Sequence, residues 1–353
     1  MICAHSYNES ANSRHSGDSY TDTGFDIRFT LPNDLNPFGN PAMNSDYVNN
    51  GINWLKYLST AHNSSTYYVF DFARGGATVD NRLVYYRDDI PSFIEQMETY
   101  FLPYMTGPNR IYQLNSSETI AGVFFGINDI YNSWQNYTGT ERFRFYTERI
   151  GQSYWSAVKT LYDTGIRHFF FNLIPPIDLQ PGEYPAERRD LVAQAIAEFN
   201  TMVTSGAVMF AKHYPDVRTA VIDLNIVARM LIAEPKTYGF ENTTTYCAPY
   251  AVGVPFVDTF YKHCEYSANK YFWLNSAHVT TDVHRYFAHY IARQLELNLG
   301  LPATNVNMSL PFINITRPTA TALIEPKITS LTTITPTPEV QRMYLPYGRI
   351  LIQ

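Results

Sequence analysis

The sequence predicts an α/β fold built on a parallel sheet. Two observations carry this: short apolar runs of β-rich residues, and longer segments of helical periodicity that alternate with them. The runs are residues 66–72 (TYYVFDF), 120–125 (IAGVFF), 168–173 (HFFFNL) and 219–224 (TAVIDL). Near-continuous apolar character suits strands covered by helices on both faces. Helical spacing of apolar residues follows over 88–104, 141–162, 187–213 and 225–233, with Gly165 as a stop after the second. A last helix is expected over 281–297, with Thr280 or Thr281 as cap, Asp282 in its first turn and Gly300 ending it. Such sheets bind ligands at the carboxyl ends of their strands, so the chemistry is sought in the loops that follow them.

The 353 residues are 45% apolar and 16% charged, enough for a real core. Net charge is −6 without a basic stripe, which excludes a nucleic-acid partner. No apolar run approaches about 18 residues, so no membrane-spanning helix is expected. Three cysteines without a Cys-x-x-Cys pair exclude a disulfide scaffold and a structural zinc site. The 28 tyrosines and the acceptors Asn8, Asn63, Asn115, Asn136, Asn242, Asn307 and Asn314 suit a secreted glycoprotein. If the chain is secreted, Cys247 and Cys264 are the natural disulfide. Against secretion, residues 1–16 contain neither a basic n-region nor an apolar h-region. From 301 to 353 the chain turns rich in Thr and Pro, with TRPTATA and TTITPTP, and reads as a disordered tail. Its end, MYLPYGRILIQ, is apolar but too short to span a bilayer. No repeat unit is present, and a monomer is the default.

Four segments carry chemistry. Gly17-Asp18-Ser19-Tyr20-Thr21-Asp22-Thr23-Gly24 surrounds Ser19 with small residues, as an exposed nucleophile turn needs; the same residues also suit a plain turn or cap. Ala73-Arg74-Gly75-Gly76-Ala77-Thr78 follows the first apolar run, where paired glycines let backbone N–H groups approach a ligand or simply make a tight turn. Gly126-Ile127-Asn128-Asp129 follows the second, where an Asn amide serves either as an oxyanion donor or as a helix cap. Phe272-Trp273-Leu274-Asn275-Ser276-Ala277-His278 precedes the last helix and offers His278 as a base for Ser19, or as a structural histidine. His284 and His289 on the following helix read as packing or surface residues.

In this order the four blocks resemble the SGNH, or GDSL-type, serine hydrolases. They are most similar to the fungal carbohydrate esterase family 16 acetylesterases, over roughly residues 17–300. The resemblance implies a flavodoxin-like three-layer α/β/α sandwich, the SGNH hydrolase fold, with a five-stranded parallel sheet. It implies Ser19 as nucleophile and His278 as general base. The oxyanion donors would be the Ser19 N–H, the Gly76 N–H and the Asn128 amide. The reaction would be hydrolysis of a small ester or an acylated carbohydrate through an acyl-serine, without cofactor or metal. The loop between Cys247 and Cys264 also fits this branch.

Two departures stand out. The family's final block reads Trp-Asp-x-x-His-Pro-Thr, whereas here Asn275 stands three residues before the histidine, Leu274 is inserted and Val279 replaces the proline. An amide orients imidazole but does not stabilise imidazolium, and the equivalent Asp-to-Asn change in another serine hydrolase costs about 10⁴ in kcat. A slow enzyme follows, or a relative that binds ligand without turnover. Asp282, in the first turn of the helix, points elsewhere. Upstream of Ser19, Ala11-Asn12-Ser13-Arg14-His15-Ser16 does not read as a core strand. That leaves four strands where five are expected and suggests that residues 1–16 are not the native start. Trp54, Trp134 and Trp273 are either sugar-stacking platforms or core aromatics.

Overall fold

The structure, a computed structural model, describes residues 2–3, 11–41, 52–62, 67–115, 118–182, 184–251 and 257–301. Asn8, Asn63, Asn307, Asn314 and the tail expected from 302 onward lie outside them. Among the remaining acceptors Asn115 and Asn136 are exposed and Asn242 is half-buried.

Five parallel strands run in the spatial order β3-β2-β4-β5-β6: β2 (Ala11–Gly17), β3 (Tyr67–Asp71), β4 (Thr119–Phe124), β5 (His168–Asn172) and β6 (Arg218–Ile222). This is the 2-1-3-4-5 order of a flavodoxin-like sheet. A two-residue strand β1 (Ile2–Cys3) runs antiparallel to β2 and β4.

The fifth strand corrects the expectation that residues 11–16 form none. Asn12 to Gly17 pair in register with Thr119 to Phe124. The expectation rested on side-chain propensity, which is a weak guide to strand formation. The slot between β3 and β4 instead offers unpaired backbone groups on both sides, and these demand partners.

The helices are α1 (Trp54–Ala61), α2 (Phe93–Glu95), α3 (Leu102–Met105), α4 (Ile127–Ser133), α5 (Gly139–Arg144), α6 (Gly151–Asp163), α7 (Arg189–His213), α8 (Leu224–Ala233) and α9 (Thr281–Leu299). α1 and α8 pack on α9; α2 and α7 pack on α6. Two π-helical turns, Gln96–Phe101 and Phe145–Ile150, interrupt the helices expected over 88–104 and 141–162. The first of these starts late, after a capping box between Ser92 and Glu95.

The run HFFFN shows how the layers form. Successive strand side chains point to opposite faces. Phe170 meets Trp54 of α1 at 6.2 Å between ring centroids. Phe169 meets Phe210 of α7 at 5.6 Å, and Phe171 meets Trp155 of α6 at 5.1 Å. One apolar strand therefore glues a helical layer to each face of the sheet. No helix among the described residues is long and apolar enough to cross a membrane.

Candidate active site

The carboxyl ends of β2, β3 and β4 bring three of the four blocks together. Gly17 ends β2, and its carbonyl accepts from Arg74 N at 3.0 Å. The wholly buried Gln96, in the first π-helical turn, grips Gly17 from both sides: Gly17 N donates to its Oε1 at 3.3 Å, and its Nε2 donates to Gly17 O at 3.1 Å. Ser19 then sits in a turn closed by bonds from Thr21 N and Asp22 N to Asp18 O. Asn53, the cap of α1, donates to Thr21 O at 2.7 Å.

Buried carboxyls stitch this turn to the glycine loop. Asp22 accepts from Gly24 N and from Gly75 N, both at 2.8 Å. Asp71, at the end of β3, accepts from Thr23 N at 2.7 Å, Thr23 Oγ1 at 2.8 Å and Ala73 N at 3.1 Å. Asp129, in the first turn of α4, accepts from Val79 N at 3.0 Å. Burial pushes Asp71 and Asp129 up to about 7 and, with Asp129 and Asp22 nearby adding to the shift, Asp18 up to about 8. Asp18 accepts from Tyr20 N at 3.0 Å, while its other oxygen is buried without a partner among the described residues.

The result is a loop whose backbone donors are occupied on both sides of one position. Ala73, Arg74, Gly75, Ala77 and Val79 all have acceptors for their N–H groups. Gly76 N has none among the described residues. Gly76 has φ +87°, and a Cβ there would lie 2.3 Å from the Tyr86 ring, so only glycine fits. Asn128 Nδ2 donates to Ala77 O at 3.0 Å, which holds the amide beside Gly76 and leaves one N–H of the amide over. The position of α4 depends on Gly126, at φ +118°, where a Cβ would strike Phe199 at 2.5 Å.

The fourth block arrives on a hairpin-like loop before α9. Trp273 bridges Val279, and Leu274 N donates to His278 O at 2.8 Å. Tyr271 and Leu274 are buried in a small cluster with Tyr250 and Cys264. Cys264 is joined to Cys247 by a disulfide with Cα atoms 5.7 Å apart, so this cluster underpins the histidine loop. Thr280 caps α9, but its hydroxyl bonds back to Tyr271 O. Asp282 pairs with Arg285 at 2.8 Å and not with His278.

His278 Nε2 lies 2.9 Å from Ser19 Oγ. Its Nδ1 lies 3.1 Å from Asn275 Oδ1. The same Oδ1 accepts from Ala277 N at 2.9 Å and His278 N at 2.8 Å. Two backbone donors fix the oxygen end of the amide toward the ring. Nδ1 must therefore carry the hydrogen, and Nε2 is the free base facing Ser19. Tyr20 supports this arrangement from below: its ring packs 5.8 Å from His278, and its hydroxyl donates to Ala277 O at 3.0 Å. Gln180 donates to the same carbonyl at 2.7 Å. Behind Tyr20 lies His284, whose wholly buried ring nitrogens have no partners among the described residues. Burial pushes it down to about 3 and keeps it neutral, with His278 adding to the shift.

Trp54, Trp134 and Trp273 are 0%, 9% and 2% exposed, which makes them core aromatics and not platforms. His284 and His289 are buried packing residues. The stitching by Asp22, Asp71, Asp129, Tyr20, Gln96 and Gln180 was not anticipated from the sequence. Among the described residues no group of three His, Cys, Asp or Glu side chains is placed to hold a metal.

The chain is similar to several known proteins. The model of the GDSL-like lipase/acylhydrolase family matches residues 15–291. An acetylesterase from Thermothelomyces thermophilus is 30% identical over 236 residues, 65% of this chain and 76% of that protein. The solved structure of a catalytic mutant of an acetylxylan esterase from Geobacillus stearothermophilus is 14% identical, with TM-score 0.43, over 81% of this chain and 94% of that one. An active-site mutant of a family two carbohydrate esterase from Clostridium thermocellum is 14% identical, with TM-score 0.39, over 82% of this chain and 64% of that one. The family match spans most of the chain and all four blocks, so the chain belongs to the GDSL-like lipase/acylhydrolase family and is a carboxylic ester hydrolase.

Proposed function

We propose that the protein is a serine esterase that removes acetyl or other short acyl groups from carbohydrate. The observation that carries this reading is the 2.9 Å contact between Ser19 Oγ and an Nε2 whose tautomer is fixed by Asn275. His278 takes the Ser19 proton as Oγ attacks the ester carbonyl. The negative charge of the tetrahedral intermediate faces the Ser19 N–H, the Gly76 N–H and the Asn128 amide. His278 then gives its proton to the departing alcohol. A water, activated in the same way, releases the acyl group from Ser19. The acetylesterase relative supports the acyl specificity, and the resemblance of the four sequence blocks to carbohydrate esterase family 16 supports a sugar alcohol.

The test is acetate release from an acetylated xylo-oligosaccharide. Ser19→Ala should lower kcat by about 10³-fold or more. A variant that keeps the wild-type rate would end the reading. Asn275 favours one alternative, a relative that binds acylated carbohydrate without turnover. Micromolar binding by wild-type protein with no acetate released would select it.

A further inference from the structure

Two aromatic side chains stay open to solvent beside the oxyanion donors. Tyr86 is 39% exposed. The Cδ1–Cε1 edge of its ring fills the space where a Gly76 Cβ would project, with Cε1 2.3 Å and Cδ1 2.6 Å from that point. The Tyr86 ring and the Gly76 N–H are thus positioned by one backbone unit. Tyr131 is 43% exposed and follows Asn128 by three residues on α4, which puts both on one helix face. Tyr184 holds the Tyr131 ring at 6.2 Å between centroids and is itself braced by Trp134 at 5.8 Å. Asn128 and Ala77 are bonded at 3.0 Å, so the two tyrosines border one continuous donor pair.

The surroundings of Tyr86 indicate what its ring meets. Its loop is charged: Arg87 pairs with Asp89, and Tyr85 donates to Asp88 at 3.1 Å, all at the surface. A long alkyl chain needs a continuous apolar wall, which this loop does not offer. A pyranose has an apolar C–H face for an aromatic ring and hydroxyls around its edge for a polar rim.

We propose that Tyr86, with Tyr131 beyond Asn128, is a carbohydrate platform. The C–H face of the acetylated sugar rests on Tyr86 while its ester carbonyl enters the Gly76 and Asn128 donors. This inference rests on the esterase reading above.

The experiment has two arms, so the two readings fail separately. In the first, acetylated xylo-oligosaccharide is titrated into Ser19→Ala protein, which needs no turnover. Adding Tyr86→Ala should weaken binding about tenfold, Tyr131→Ala about threefold, and Tyr86→Phe less than about twofold. In the second, the ratio of kcat/KM for the oligosaccharide to kcat/KM for ethyl acetate, which has no ring, is compared in Ser19 protein. Tyr86→Ala should lower that ratio about tenfold, mainly through KM, and Tyr86→Phe should restore it. An unchanged ratio, with both substrates losing kcat equally, would make Tyr86 a prop for the Gly76 loop and overturn the platform. Unaltered binding in the first arm would overturn it as well.

Discussion

The nucleophile side and the histidine side of the cleft are held by the same kind of bond but by different chemical groups. On the nucleophile side, carboxyls accept backbone N–H groups: Asp22 from Gly24 and Gly75, Asp71 from Thr23 and Ala73, Asp129 from Val79. On the histidine side an amide oxygen does the same work, accepting from Ala277 N, His278 N and His278 Nδ1. Both sides are held by hydrogen bonds of 2.7–3.1 Å. They differ in what happens when charge develops. A carboxylate at 275 would stabilise the imidazolium, and an amide does not. In the esterase proposed above, the geometry and the charge that a catalytic triad combines are separated.

After the loss of Ser19 itself, the largest expected effect also lies on the nucleophile side. Gly76→Ala places a Cβ 2.3 Å from the Tyr86 ring in a backbone conformation of φ +87°, so the loop must shift and carry its N–H away. We expect kcat to fall by about 10²-fold or more, as when an oxyanion donor is lost, with KM for a small ester little changed. A variant with wild-type kcat would show that Gly76 serves only the turn.

A second prediction, on stability, tests whether Asp18 is charged in the folded protein. Burial pushes the Asp18 carboxyl up to about 8. The folded chain then keeps a proton that the unfolded chain releases near pH 4, so wild-type stability falls as pH rises from about 4 to about 8. Asp18→Asn keeps an acceptor for Tyr20 N and removes the Asp18 share of that slope, leaving the shares of Asp71 and Asp129. Its advantage in urea unfolding should grow across this window, reaching on the order of a few kcal/mol. A difference that stays flat with pH would mean that Asp18 is ionised in the folded protein.

The contrast between the sides also shows what the sequence could reveal. Strands β3 to β6 were legible because their apolar runs report burial on both faces, and the boundaries agree within two residues. The four chemical blocks were legible because each sits within about ten residues of chain. Strand β2 was not, since its partners lie 56 and more than 100 residues away and its own residues favour no strand. Helix α1 was missed, although Trp54 and Leu55 of its short span are fully buried. Gln96 gave no signal because it acts on Gly17 from 79 residues away. Asp22 and Asp129 lie in segments that also read as plain turns or caps, and Asp71 lies inside an apolar strand run; only the fold shows that their carboxyl oxygens face another loop. Asn275 was visible as a departure, but that it fixes the tautomer of His278 follows only from the two backbone donors that orient its oxygen.

The most direct test of the separation between geometry and charge is kcat for Asn275→Asp beside wild type on one acetyl ester. The tautomer is already correct in the wild type, so the gain should fall short of the 10⁴ seen where the amide also disturbs the ring. An increase of about 10²-fold, at unchanged KM, is the predicted result. An unchanged or lower kcat would contradict the account, since the missing charge would then not be what limits this site.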